Sequence, residues 1–156
     1  METNTEKNAC TIEKELSKEE LLYALEKQKD AFEKLKVLES IINGSPFIAL
    51  SRDASKDFSV VFISENISQF GYKAEDLMCK MTYPDIIQPD EREYVKLELI
   101  ENCREGSKYI TLKYRIMTKK GEARPVEEKI FIQRDPQGNP MYLQSIIFET
   151  DAKCNV

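Results

Sequence analysis

The side chains with the readiest chemistry in this chain are four cysteines, at positions 10, 79, 103 and 154. A thiolate can attack an electrophile, exchange disulfides or bind a soft metal. Metal binding is not what the spacing suggests, because no two cysteines form a C-x-x-C pair and no histidine is present to complete a mixed zinc site. The same scatter argues against a disulfide framework. Lack of histidine also removes a phospho-accepting imidazole, an imidazole general base and a histidine-ligated haem. Cys103, within Glu101-Asn-Cys-Arg-Glu-Gly106, is the residue whose reactivity must be decided from its surroundings.

No phosphate-cradling or nucleophile-elbow motif occurs, and five glycines leave little material for one. Binding is therefore favoured over catalysis, and no enzyme is expected. A length of 156 residues suits one domain with a real core, and an apolar fraction of 41% fits a globular protein. The net charge of −5 makes a nucleic-acid footprint unexpected and points to soluble protein partners. The first residues lack the order of a secretion signal, and no stretch has the length of a membrane span. A cytoplasmic location is expected.

From Thr11 to Ile42 there is no glycine or proline, and Glu, Lys, Leu and Ala abound. This predicts a helix over 11–43 after a disordered 1–10, ended by Asn43-Gly44-Ser45-Pro46. Leu21, Ala24, Gln28, Ala31, Leu35, Leu38 and Ile42 recur in alternating steps of three and four, and Leu25 and Phe32 widen the stripe. A helix of about 45 Å exceeds the width of a domain of this size. The stripe is therefore read as the seam of a parallel homodimeric coiled coil, with Gln28 helping to fix register.

Beyond Pro46, Phe47–Ser51 and Phe58–Ser64 read as strands joined by the polar turn Arg52–Asp57. Short helices follow: Glu65–Phe70, capped by Ser64 and ended by Gly71; a second from Ala74; and a longer one from Pro89 to Arg104, stopped by Gly106. Three strands complete the chain, Tyr109–Thr118, Val126–Gln133 and Met141–Thr150, connected at Lys119-Lys-Gly121 and Asp135–Asn139. The last is apolar at Leu143, Ile146, Ile147 and Phe148, which predicts a central strand covered on both sides. The order predicts an α+β fold: a five-stranded antiparallel sheet with helices on one face, preceded by the long amphipathic helix.

The segments "FISENISQFGYKAEDL" (62–77), "IIQPDERE" (86–93), "YRIMTKKGE" (114–122), "RDPQGNP" (134–140) and "ETDAK" (149–153) resemble a PAS domain of the sensory type, over residues 46–153 with a short tail at 154–156. The sequence departs from the family pattern at Gln88, where a histidine is usual, near Pro125, where a tryptophan is common, and at the shortened Asp151-Ala152-Lys153. The resemblance implies a sheet cupped against small helices, often around a ligand cavity, with signals leaving through flanking helices to an output domain or partner. It implies no reaction. In the flavin-photoreactive relatives Asn-Cys-Arg lies on a short helix and precedes Phe-Leu-Gln; here it precedes Glu-Gly at the end of the long helix.

That position bears on the thiol. A helix C-terminus carries partial negative charge, Glu101 and Glu105 add to it, and Val95, Leu99 and Cys103 share a face with Ile100 beside them. Cys103 is expected to be buried and inert, and Cys79, among Leu77, Met78 and Met81, to lie in the core. No redox cofactor is expected; a flavin or haem sensor is the alternative. The cavity implied by the resemblance would hold an unidentified small molecule, with Phe62, Ile67, Phe70, Met81, Tyr83, Ile86, Tyr94, Leu112, Tyr114, Glu128 and Ile130 as lining candidates. Glu128 is the most informative of these, since a regular strand places its carboxylate on the face of Val126, Ile130 and Ile132. A pure interaction module with a filled core would have the same composition.

Overall fold

The computed structural model describes residues 16–151. The expected disordered start, Cys10, residues 11–15 of the helix, Ala152-Lys153, Cys154 and the tail lie outside the described residues. Two units are distinguished, one ending at Val37 and the other beginning at Leu38, whereas the sequence placed its boundary near residue 43.

Helix α1 spans Lys18–Asn43, and none of its residues is buried. Within the described residues, Leu16 and Ser17 precede it outside the helix. Ser17 fixes that start through a reciprocal box, with the Glu20 N–H donating to Ser17 Oγ (3.2 Å) and the Ser17 N–H to Glu20 Oε2 (2.9 Å).

The second unit is a five-stranded antiparallel sheet in the order β2-β1-β5-β4-β3. Its strands are β1 (Ile48–Asp53), β2 (Ser59–Ile63), β3 (Tyr109–Met117), β4 (Ala123–Arg134) and β5 (Pro140–Glu149). Between β2 and β3 come a 3₁₀ segment Glu65–Phe70, α2 (Ala74–Cys79), 3₁₀ turns Tyr83–Ile86 and Pro89–Glu91, and α3 (Arg92–Glu105). Gly71 and Gly106 close the first and last of these helical segments in the left-handed conformation, as expected. Ser64 does not cap; its hydroxyl accepts from the Ala49 N–H (2.9 Å) and donates to Asn66 instead. The Asn66 amide in turn donates to the carbonyls of Ile42 (3.0 Å), Ser45 (3.1 Å) and Phe47.

The core is formed where the inward row of the sheet meets the helices: Ile48, Leu50, Leu112, Ile116, Ile130 and Leu143 against Ile67, Phe70, Leu77, Ile86, Val95 and Leu99. Period-two alternation explains which sheet residues take part. The double coverage expected for β5 is not found. Leu143, Ser145 and Ile147 are buried, while Gln144 and Ile146 on the other face are exposed, because helices pack on one side only. Arg134 closes the far end of the unit by donating from Nη2 to the carbonyl of Cys103 (3.0 Å), among the orphan carbonyls of the last turn of α3, and to that of Ser107 (3.1 Å), just beyond the helix.

Gly71 shows how tightly the helical layer is seated. Its φ is +90°, and a Cβ there would lie 2.9 Å from Lys119 Cβ, while the Lys119 N–H donates to the Phe70 carbonyl at 3.0 Å. Gly71→Ala should lower unfolding stability by roughly 1–3 kcal/mol from the backbone conformation alone. A urea midpoint equal to that of the parent chain would refute this account of the close approach.

Candidate functional site

Four polar side chains meet inside the domain. Arg52, on β1, is 2% exposed, and Glu128, on β4, is 0% exposed; Arg52 Nη2 donates to Glu128 Oε1 in a buried ion pair. Tyr114, on β3, donates to Glu128 Oε2 at 2.8 Å, and the Tyr83 and Tyr114 hydroxyls share a hydrogen bond of 2.7 Å. The Arg52 guanidinium also stands over the Tyr83 ring, 5.4 Å from its centroid.

Strand register explains why the ion pair is possible. Arg52 pairs with Leu143 and Glu128 with Ile147 on the intervening β5, so Ser145 lies between them. A small residue at this inward position leaves room for the two long side chains to meet. Tyr83 is brought in by its turn, which the Thr82 N–H and hydroxyl fix by donating to Asp85 Oδ2 (2.7 and 2.9 Å). Those bonds, that from the backbone N–H foremost, hold the Asp85 carboxyl below its usual range. Burial is the main cause that pushes the Tyr83 and Tyr114 hydroxyls far above the ordinary tyrosine range, with the Glu128 charge adding to it. Both phenols stay protonated and able to donate.

A pocket of about 180 Å³ adjoins this cluster. Arg52 and Tyr83 form part of its wall, Asp57 and Phe58 come from the β1–β2 turn, and Arg92, Glu93, Val95, Lys96 and Leu99 come from α3. Asp57 and Phe58 both have left-handed backbone conformations (φ 53° and 56°), a strained arrangement for residues with side chains. Arg52 Nε is buried and has no hydrogen-bond partner. A second, more open depression of about 450 Å³ lies beside α2 and includes Leu77, Cys79, Met81 and Tyr83.

Of the lining candidates read from sequence, Ile67, Phe70, Tyr83, Ile86, Leu112, Tyr114, Glu128 and Ile130 are buried, and Met81 packs at the edge of the core. Only Tyr83 among them borders the smaller pocket. Two are corrected. Phe62 is exposed because β2 turns Ile63 inward, and Tyr94 is exposed because α3 buries the adjacent Val95 and Leu99. Arg52, assigned by sequence to a polar turn, is a strand residue, and its place two positions after Leu50 in the row Ile48-Leu50-Arg52 was the missed signal.

The cysteines separate as well. Cys79 is exposed, not in the core, because α2 buries Ala74 and Leu77 on another side. Cys103 is half-buried against the core, and burial rather than nearby carboxylates pushes its thiol up. Ile100 does not share its buried face and is exposed. Among the described residues no group of three His, Cys, Asp or Glu could hold a metal, and no helix is long and apolar enough to cross a membrane.

The family model for the PAS fold matches residues 60–147, more than half of the chain. The chain belongs to the PAS family. A methyl sulfide methyltransferase-associated sensor from Methanosarcina acetivorans is 37% identical over 113 residues, which is 72% of this chain and 11% of that relative. The chain thus spans about a ninth of the curated relative it matches. Among solved structures, the N-terminal domain of a diguanylate cyclase with PAS/PAC sensor from Marinobacter aquaeolei superposes with a TM-score of 0.59 at 15% identity, covering 66% of this chain and 94% of that one. A sensory box histidine kinase/response regulator from Burkholderia thailandensis gives a TM-score of 0.57 at 18% identity, covering 72% and 83%. These structures share the fold. The sheet and helix arrangement read from sequence is that of a PAS domain, with the N-terminal helix before it.

Two outcomes are expected for this PAS domain. Glu128→Gln strands the Arg52 charge and should cost about 3–5 kcal/mol, whereas the double change Arg52→Met with Glu128→Leu should recover most of that loss. Chemical denaturation of the three proteins decides the point, and an undiminished midpoint for Glu128→Gln would show that the pair is not isolated from water. Because the folded-state pKa of Tyr83 and Tyr114 is raised, their contribution to stability is present below the unfolded tyrosine value of about 10 and lost as pH climbs above it. In an alkaline ultraviolet titration both phenols should ionise only with unfolding; free titration of either in the folded protein would contradict their burial.

Proposed function

We propose that this PAS domain is a non-catalytic sensory module that dimerises through α1 and passes the state of its pocket to an output domain or partner protein. The observation that carries this reading is the apolar stripe of α1. Leu21, Leu25, Phe32, Leu35 and Leu38 are between 48% and 63% exposed along a helix with no buried residue. A second copy of the same heptad-spaced seam would bury Leu21, Leu35 and Leu38 at a and d positions, with Leu25 and Phe32 flanking them. The described helix has 26 residues, several heptads, and ends at the carbonyls held by Asn66.

The relatives support the sensory side of the reading. One is named as a sensor and is far longer than this chain, and the structural neighbours include parts of a cyclase and of a histidine kinase. A module that supplies no reacting group can influence such partners through the packing of helices. The pocket beside Arg52 gives it something to detect, and its volume suits a small molecule better than a large planar cofactor.

Leu35→Glu places a carboxylate in the seam, at a desolvation cost of several kcal/mol if fully buried. The variant should be a folded monomer by light scattering and circular dichroism. An unchanged dimer, or a parent chain that stays monomeric at high concentration, would overturn the dimer assignment.

A further inference from the structure

We propose that the pocket under the β1–β2 turn binds a small monocarboxylic acid with an apolar body, its carboxylate held by Arg52. This rests on the sensory reading and specifies the ligand. A guanidinium carries five N–H donors in a planar fork suited to carboxylate oxygens. Among the described residues, Glu128 is the only group that accepts from Arg52. Arg52 forms part of the pocket wall, and its Nε is buried behind that wall without an acceptor, so the guanidinium must turn toward the cavity before a ligand can use it. An oxygen anion in the pocket would supply an acceptor to the guanidinium turned toward it.

Charge sets the class. Glu128 already offsets one unit of positive charge, and Asp57 and Glu93 flank the same cavity. A phosphate or dicarboxylate would bring a second negative charge against three carboxylates, and an amine would meet Arg52 with like charge. Arg92 and Lys96 lie on the α3 side. Arg92 donates to the carbonyls of Ile87 (3.0 Å) and Asp85 (3.1 Å) but keeps its charge, so Arg52, Arg92 and Lys96 stand against Glu128, Asp57 and Glu93 around the cavity, and one added anion unsettles that balance less than two. Phe58, Tyr83, Val95 and Leu99 supply the apolar wall. A volume of about 180 Å³ equals that of roughly six liquid waters, enough for a benzoate-sized body.

The strained pair Asp57 and Phe58 forms part of the wall, a placement found where a loop closes on a ligand. Carboxylate binding would draw Arg52 toward the pocket and loosen its tie to Glu128, so occupancy would alter the link between β1 and β4.

The test is calorimetric titration of the full chain with benzoate, phenylacetate and hexanoate, and with benzamide and benzylamine as neutral and cationic counterparts of benzoate. At least one acid should bind, benzoate should bind about tenfold or more tightly than benzamide, and benzylamine should not bind. The Arg52→Met, Glu128→Leu double variant, checked for folding, should lose acid binding; Val95→Phe, which fills the pocket while leaving the ion pair intact, should lose it too. No binding of any of the three acids, equal affinity for benzoate and benzamide, or acid binding that survives in both variants would overturn the proposal. Light scattering on the same samples keeps the two readings apart, because a dimer that ignores the acids sinks the ligand assignment and leaves the seam of α1 standing.

Discussion

A single constraint governs the interior of this domain: two opposite full charges lie within a core that is otherwise apolar, and each is tolerable only because of the other. The Arg52–Glu128 pair spans three strands, β1, β5 and β4, and recruits hydroxyls from β3 and from the turn at Tyr83. Apolar contacts are forgiving of small slips, whereas a desolvated ion pair is not. A two-residue slip of β1 that carried Arg52 from Leu143 to Met141 would keep the same residues facing inward but draw Arg52 away from Glu128, opposite Ile147. The pair therefore opposes a slip that hydrophobic burial alone would permit.

The same pair shapes the surface chemistry of the pocket. A leucine at position 52 would close the wall with no unmet bonding capacity. Arg52 instead forms part of the wall, with one donor, Nε, buried behind it and unoccupied. A buried charge in the core and part of the pocket wall come from one side chain, so a change at Arg52 alters both at once.

Much of this architecture could be read from residue order, and the failures have identifiable causes. Glycine ends for helices, the hairpin turns and the inward aim of Glu128 follow from local rules of capping, turn chemistry and alternation, and all are found. Arg52 was lost because a charged residue next to Asp-Ala-Ser-Lys-Asp looks like the start of a turn, although it continues the inward row. Phe62 was misplaced because both faces of β2 carry apolar residues, and only the register with β1, irregular between Ser51 and Arg52, tells them apart. Ile146 and Phe148 looked like core for a related reason: apolar identity reports a preference for burial, not whether a layer exists to provide it. A pocket is harder still, being defined by atoms that are missing.

Asn66 ties the end of α1 to the approach to the first strand. Its amide nitrogen has two hydrogens, yet three carbonyls, at the end of α1, in the following loop and at the start of β1, lie within reach. One acceptor is always in competition with the others. The Ile42 carbonyl also accepts from the Ser45 N–H (3.0 Å) and hydroxyl (2.7 Å). One amide thus gathers the helix end, the loop and the approach to β1 into a single knot, and its removal would release all three together.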